Sequence, residues 1–238
     1  MQKPKVLIVD IETSPMTAYI WGLKDQNIGL NQIVQDWTVL AWSAKWLGEK
    51  KAYYRDVRCN KNFYDDKNIL EPLWKLLNTA DVVITQYGSG FDAPRLNTRF
   101  ILHGMPPPSD YKHLDTYRIV KSVAQFTSNK LEYLTDKLCT KYKKLSHKRF
   151  PGMLLWVECL KGNMEAWKEM KKYNIHDVLS TEELYTKLQK WVPQRMPSVH
   201  HLCPRRFAVS WGVRPFCGSI YQRLFCKKCK MYYKGDKV

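Results

Sequence analysis

A short apolar stretch that ends in two acids constrains the fold of this chain more than any other feature. Residues 6–9 form an unbroken run of branched apolar side chains, which is typical of a strand buried on both faces. Asp10 and Glu12 follow, and residues two apart on a strand point to the same side. Burying two like charges together is costly unless a cation lies between them. The stretch therefore predicts either a metal site at the end of a buried strand or two solvated acids.

Length and charge narrow the class of protein. The chain has 238 residues, of which 45% are hydrophobic, enough for one large domain with a small appendage. The net charge of +17 favours a polyanionic partner, nucleic acid above all. The longest apolar runs are too short for a membrane span, and the first residues lack a signal-peptide layout, so we expect a cytoplasmic protein without a membrane partner.

The order of the elements predicts an α/β fold. Further strands are expected at 17–23, 38–47 and 51–57, which with the first strand suggests an antiparallel meander. Residues 81–87 predict a later strand. Apolar residues at helical spacing then predict helices within 68–80, from about 96 to a stop at Gly104, and at 114–123, 128–138 and 163–191. The sequence therefore predicts a mixed sheet flanked by helices.

Further acids occur at suggestive places beyond the first strand. Asp92 follows a glycine-rich turn, and Asp177 lies within the last long helix. Tyr173 and Asp177 are four residues apart and share a helix face with Val178 and Thr181, so we expect that face to pack inward. Taken singly, Asp177 is at least as well explained as a solvated surface acid, and Tyr173 as a core tyrosine.

Together these residues resemble a known pattern. The tyrosine subtype of the DEDD superfamily of 3′–5′ exonucleases carries D-x-E, an Asp after a Phe, and Y-x-x-x-D; Asp10 and Glu12, Phe91-Asp92, and Tyr173 with Asp177 match it in order. The surrounding DIETSP, FDAPRLNTRF and MKKYNIHDV runs are similar to a bacterial and phage group related to the exonuclease domains of family-B DNA polymerases. The resemblance implies a ribonuclease H-like domain over residues 1–193 that degrades DNA from 3′ ends, most readily single-stranded ones, in a bacterial or phage-infected cell.

The resemblance also implies roles for the acids. Two Mg²⁺ or Mn²⁺ ions would be held, with Asp10 bridging both. Glu12 and Asp177 would bind the ion on the side of the attacking water, and Asp92 the second ion. Tyr173 would orient that water.

One departure from the family pattern leaves alternatives open. Tyr87 stands where the family usually has an Asn, so an amide that could support the site is missing. An RNA exonuclease or a structure-specific nuclease would share the same acids. A non-catalytic nucleic-acid-binding protein on a nuclease scaffold is the alternative from a different class. Asp115, in a segment that the family shares, is interpreted as a helix N-cap rather than as a ligand.

The last 45 residues, 194–238, differ in composition from the rest. They contain ten basic residues and one acid, and so supply nine of the seventeen net positive charges. Aromatic residues interleave with the basic ones, a combination that suits single-stranded nucleic acid. The candidate binding residues are Arg205, Arg206, Arg214, Arg223, Lys227 and Lys228.

Cysteines in this tail predict a degenerate zinc ribbon. Cys226 and Cys229 form one C-x-x-C half, whereas only Cys203 remains of the other half because Arg206 occupies the place of its second cysteine. His200 or Cys217 could supply the fourth ligand. The alternative is a ribbon that has lost its metal and survives as a basic flap.

Overall fold

The protein combines a central β-sheet with helices on both faces. The computed structural model describes residues 4–24, 27–143, 145 and 149–192, together with the backbone of three strands at 208–216, 219–226 and 232–237. Its strands are β1 (Val6–Thr13), β2 (Thr17–Ala18), β3 (Ile33–Gln35), β4 (Val39–Trp46), β5 (Ala52–Asp56), β6 (Val82–Thr85), β7 (Lys112–Asp115), β8 (Ala208–Phe216), β9 (Ser219–Cys226) and β10 (Tyr232–Lys237). Its α-helices are α1 (Lys67–Thr79), α2 (Asp92–Leu102), α3 (Thr116–Val123), α4 (Leu131–Leu138), α5 (Leu154–Leu160) and α6 (Met164–Leu188), and 3₁₀ turns span Leu30–Gln32, Val57–Cys59 and Gln189–Trp191.

The central sheet is mixed, with strand order β5-β4-β1-β6-β7. Strands β1, β4 and β5 form the predicted antiparallel meander, whereas β1, β6 and β7 run parallel. The carboxyl ends of these parallel strands therefore meet at one edge of the sheet, where functional residues of open α/β sheets gather. The predicted α/β class, a mixed sheet flanked by helices, is confirmed.

Strand β1 is buried on both faces, as its apolar run predicts. Leu7, Val9 and Ile11 belong to a core cluster with α1, α2, α5 and the first part of α6. Val6 and Ile8 belong to a second cluster with α3, α4 and the later part of α6. Asp10 and Glu12 continue the Val6 and Ile8 side of the strand, so they point toward the face that later α6 covers.

Polar contacts fix helix α6 to the sheet. Ser43 Oγ on β4 donates to the Asn174 carbonyl at 2.7 Å. Lys45, also on β4 and buried, forms an ion pair with Glu182 at 2.5 Å. Asn163 caps the start of the helix, since its side chain accepts from the backbone amides of Glu165 and Ala166. These contacts set both the position and the register of the helix that carries Asp177.

Two predicted elements differ from the structure, and one helix was not predicted. The strand expected over 17–23 is only Thr17–Ala18, and it pairs with β3 in an arm on which Trp21 is 98% exposed, since no described residue covers that side chain. Leu114, expected within a helix, lies in strand β7 instead, whereas Asp115 ends that strand and precedes α3, which begins at Thr116. Helix α5 was not predicted, since its seven residues are too few for a clear periodic pattern.

The tail contains a three-stranded antiparallel sheet in the order β10-β9-β8. Among the predicted zinc ligands, His200, Cys203, Cys217 and Cys229 lie outside the described residues, and only the backbone of Cys226 is described, at the end of β9. Arg205, Arg206, Lys227 and Lys228 likewise lie outside them, while Arg214 and Arg223 have their backbone in β8 and β9. None of the described helices combines the length and apolar character needed to cross a bilayer.

Candidate active site

Three carboxylates meet where β1 leaves the core. Asp10 and Glu12 on β1 and Asp177 on α6 place carboxylate oxygens within 4.8 Å of one another. Asp177 is only 4% exposed, and Asp10 is partly buried. The inward-facing Asp177 that the helical spacing predicted is therefore confirmed. Because like charges this close repel and the donors are all oxygen, the cluster could hold a hard divalent cation.

Asn174 orients Asp10 from helix α6. Its Nδ2 donates to Asp10 Oδ2 at 2.6 Å, and the Asn174 side chain is fully buried. Since Ser43 also holds the Asn174 carbonyl, strand β4 supports the contact from behind. Sequence reasoning assigned Asn174 no role, although it lies inside the MKKYNIHDV run.

Asp92 adjoins the cluster through the backbone of β1. The pairing of β1 with β6 ends at Ile8 and Ile84, and beyond it the Ile11 amide donates to Asp92 Oδ1 at 3.1 Å. Burial raises the pKa of Asp92 to about 7, with nearby Asp115 adding to the rise, whereas amide hydrogen bonds from Ile11 and its own backbone oppose it. Asp92 therefore contacts Ile11, the residue between Asp10 and Glu12. Its role as a metal ligand stays a prediction.

Trp156 brings helix α5 into the site. Its indole Nε1 donates to Glu12 Oε2 at 3.0 Å. The same ring makes an edge-to-face contact with Tyr173, with centroids 6.2 Å apart. Tyr173 is buried one helical turn before Asp177, as predicted. Trp156 therefore positions both an acid from β1 and the tyrosine from α6, a role that sequence reasoning missed although the LLW run is part of the family resemblance.

Asp115 holds the loop that follows β6. Its carboxylate accepts from the Tyr117 amide at 3.0 Å, which confirms the predicted N-cap of α3. It also accepts from the amides of Tyr87 and Ser89 at 2.9 and 3.0 Å, and from the Ser89 hydroxyl. One buried carboxylate therefore fixes both the start of α3 and the loop that carries Tyr87.

Two clefts open on the carboxylates. The first, of about 660 Å³, is lined by Glu12, Trp37, Phe91, Arg95 and Trp156 among others. The second, of about 440 Å³, is lined by Asp10, Asp177, Tyr87, Tyr117, Asn129 and Lys130 among others. The acids therefore stand between two openings of the size that ligands occupy.

Arg95 supplies a positive charge in the first cleft. Its guanidinium lies 4.6 Å from the Trp37 ring centroid and 4.4 Å from that of Phe91. Arg95 also donates to Thr13 Oγ1 at 3.2 Å. Stacking on two aromatic rings pre-orders the guanidinium, which suits it to bind a phosphate.

Comparison with known proteins agrees with this geometry. Residues 7–189 match the RNase H superfamily. The chain belongs to that superfamily. The predicted ribonuclease H-like fold is thereby confirmed, and membership supports a nuclease role. No curated protein matches the chain by sequence.

A solved structure shares the fold. The family B DNA polymerase from the hyperthermophilic archaeon Pyrobaculum calidifontis aligns with a TM-score of 0.57 at 15% identity. The alignment covers 82% of this chain but 26% of the polymerase, so the chain corresponds to about a quarter of that enzyme's length. At this identity the likeness shows the fold alone.

Proposed function

We propose that the protein is a divalent-metal-dependent 3′–5′ exonuclease that hydrolyses phosphodiester bonds of DNA, acting mainly on single-stranded ends. The observation that carries the proposal is the meeting of the Asp10, Glu12 and Asp177 carboxylates within 4.8 Å, in a chain of the RNase H superfamily. The order of the motifs, which resembles the tyrosine subtype of the DEDD exonucleases, supports the polarity.

The residues present fit two Mg²⁺ or Mn²⁺ ions. Asp10, Glu12, Asp177 and Asp92 offer oxygen donors only, the ligands that these ions prefer. When bound, such ions supply an activated water and stabilise the charge on the leaving oxygen. Asp10, which adjoins both Glu12 and Asp177, is held in place by Asn174.

The protein's own groups position the reacting atoms. Tyr173, braced by Trp156, would hold the attacking water, since its phenol is a donor and an acceptor. Trp156 fixes the Glu12 carboxylate by its indole N–H. These contacts leave little freedom to the acids, which lowers the reorganisation needed during the reaction.

The clefts and the charge support a single strand as substrate. Arg95 in the larger cleft would contact a phosphate beside Glu12. The net charge of +17, more than half of it in residues 194–238, favours a polyanion in general. The aromatic residues that interleave with the basic ones in that segment suit a single strand.

An assay on end-labelled strands tests the proposal. Single-stranded DNA labelled at the 5′ end should give a ladder of shortening products in Mg²⁺, while label at the 3′ end should be released as mononucleotide at once. EDTA should abolish both, and Asp10→Ala should lose cleavage but retain strand binding. Internal cuts, faster cleavage of matched RNA, or activity that survives Asp10→Ala would overturn the assignment.

For the tail we propose one structural zinc held by Cys203, Cys226, Cys229 and His200, with Cys217 as the alternative to His200. The C-x-x-C spacing of Cys226 and Cys229 supports it. Metal analysis of the purified protein should find about one zinc per chain. Cys226→Ser should abolish it, and equal zinc in both proteins would refute the site.

A further inference from the structure

The backbone at Tyr87 is in a conformation that tyrosine rarely adopts. Its φ is +63°, and no other non-glycine among the residues that the structure describes has a positive φ. Left-handed conformations favour Gly, which has no β-carbon to crowd the following carbonyl, and Asn, whose short polar side chain can hydrogen-bond locally. The local backbone conformation therefore does not explain why an aromatic residue stands here. Backbone strain of this kind is frequent at functional sites.

Burial does not account for the aromatic ring either. Tyr87 is 51% exposed, so much of its apolar surface still faces solvent. The loop is nevertheless built closely around it. The Asp115 carboxylate holds the Tyr87 and Ser89 amides, and a β-carbon at Gly90 would lie 2.8 Å from Tyr87 Cζ. The Tyr87 ring is therefore held in a fixed position while much of its surface remains exposed to solvent.

A second aromatic ring supports the first. Tyr117, at the start of α3, contacts Tyr87 with centroids 5.0 Å apart and planes inclined by 69°. An edge-to-face contact of this kind restrains the Tyr87 ring without covering it. Because Asp115 caps α3 and holds the loop together, the two rings are positioned by one carboxylate.

The pair lies in the cleft that reaches the acids. Tyr87 and Tyr117 line the opening of about 440 Å³ together with Asp10 and Asp177, and Lys130 adds a positive charge. An exposed, rigid aromatic ring beside a cation is the arrangement that binds single-stranded nucleic acid, since every base offers a π-face.

We propose that Tyr87 is a base-stacking residue: its ring binds a nucleobase of the strand whose phosphodiester bond reaches Asp10 and Asp177, and Tyr117 braces that ring. The inference rests on the proposed function and gives its site a contact on the base rather than on the phosphate. Stacking is largely independent of base identity. The affinity of this subsite therefore depends on the presence of a base more than on its identity.

A binding experiment with an abasic strand tests the inference. All proteins carry Asp10→Asn so that the strand stays intact in Mg²⁺, and the Kd is measured for DNA with and without a base at each of the last four nucleotides in turn. With Tyr87, loss of the base at one position should weaken binding by about tenfold. Tyr87→Phe should keep that ratio, and Tyr87→Asn, which suits the backbone, should reduce it to about one.

Controls separate stacking from a structural role. Tyr19→Asn removes another exposed tyrosine, one that lines neither cleft, and should leave the ratio unchanged. Thermal melting should show that Tyr87→Asn is at least as stable as the parent, because strain is relieved. A ratio that survives Tyr87→Asn, a ratio equal at all four positions, or loss of the ratio in Tyr87→Phe would overturn the inference.

The experiment reads binding and not cleavage. Failure of the proposed function would show as a parent protein with intact Asp10 that does not degrade DNA in Mg²⁺. Failure of the stacking inference would show as the unchanged base-dependent ratio just described. The two results are therefore distinguishable.

Discussion

Asn174 binds Asp10 twice, although the two residues are 164 positions apart in the chain. The Nδ2 group donates to the carboxylate at 2.6 Å and to the backbone carbonyl of the same residue at 3.3 Å. The orientation of the Asp10 carboxylate therefore depends on how α6, which carries Asn174, packs against β1.

Replacing Asn174 by Ala should lower the catalytic rate by a larger factor than it lowers the stability of the fold. Groups that orient metal ligands usually contribute about ten- to hundredfold to metal affinity or activity, so we expect a loss of that size in kcat/KM. Mg²⁺ titration of the activity should shift to higher concentration. Asn97→Ala, on the exposed surface of α2, is the control, and equal activity of the two variants would contradict the orienting role.

Trp156→Phe distinguishes the contribution of the indole N–H from that of the aromatic ring. The ring contact with Tyr173 is retained, while the hydrogen bond to Glu12 is lost. A hydrogen bond to a charged group is worth about 1.5–3 kcal/mol, so we expect a roughly tenfold or greater fall in kcat. Melting temperature serves as the control measurement, since a fall in stability without a fall in kcat would mean that Trp156 only packs.

Arg95→Ala should weaken binding in a salt-dependent way. If Arg95 contacts a phosphate, the slope of log K against log salt concentration should decrease by about one, and KM should rise. Lys75→Ala removes an exposed cation that lines neither cleft and should leave the slope unchanged. The same slope in Arg95→Ala and in the parent would show that the guanidinium meets no phosphate.

Asp66 anchors the fold from within an ion network. It is fully buried and accepts from Arg99 at 2.7 and 2.8 Å, from His103 at 2.6 Å and from the Val39 amide at 2.9 Å. Asp66→Asn leaves Arg99 without its anion, so we expect the free energy of unfolding to fall by about 3 kcal/mol and the melting temperature to fall by about 10 °C. Asp136→Asn, an exposed ion-pair partner of Lys143, should change little; equal effects of the two would contradict the network's role.

Two buried thiols predict a loss of stability at alkaline pH. Burial raises the pKa of Cys139 to about 11 and that of Cys159 to about 12. Because the folded-state pKa is raised above the usual value of 9.0, their contribution is fully present below pH 9 and is lost as the pH rises through 11 and 12. Melting temperature should fall across this window, less steeply in Cys139→Ala and Cys159→Ala.

Alkylation of the native protein at pH 8 provides an independent check on the same thiols. Exposed Cys59 should react, whereas Cys139 and Cys159 should react only in denaturant. Peptide mapping distinguishes the sites. Labelling of Cys159 at the rate of Cys59 would mean that the thiol is accessible, and the alkaline transition would then have another cause.

Sequence patterns within single strands and helices were enough to predict part of the candidate site. Asp10 and Glu12 follow from alternation along a buried strand, Asp177 from the apolar face that it shares with Val178, and Asp115 from its place before α3. Each of these signals lies within a few residues of chain. The prediction of a shared site then came from the resemblance.

The missed residues depend on contacts between distant segments. Trp156 reaches Glu12 from a helix of seven residues, and the Ile11 amide meets Asp92 only because β6 ends earlier than β1. The φ of Tyr87 is likewise set by hydrogen bonds that the Tyr87 and Ser89 amides donate to Asp115, which lies 28 residues after Tyr87. Sequence patterns of one element carry no information about such pairings. The zinc ligands and the 3′–5′ polarity stay predictions.

The distance in sequence between Asp10 and Asp177 has a consequence for biosynthesis. A ribosome adds about 5–20 residues per second, so on the order of ten to thirty seconds separate the appearance of these two acids. Until α6 has emerged and docked on β1, the nascent chain carries two of the three clustered carboxylates and lacks Asn174, which orients Asp10. The acid set is therefore completed only after α6 has been synthesised, and a chain arrested before α6 would lack both Asp177 and Asn174.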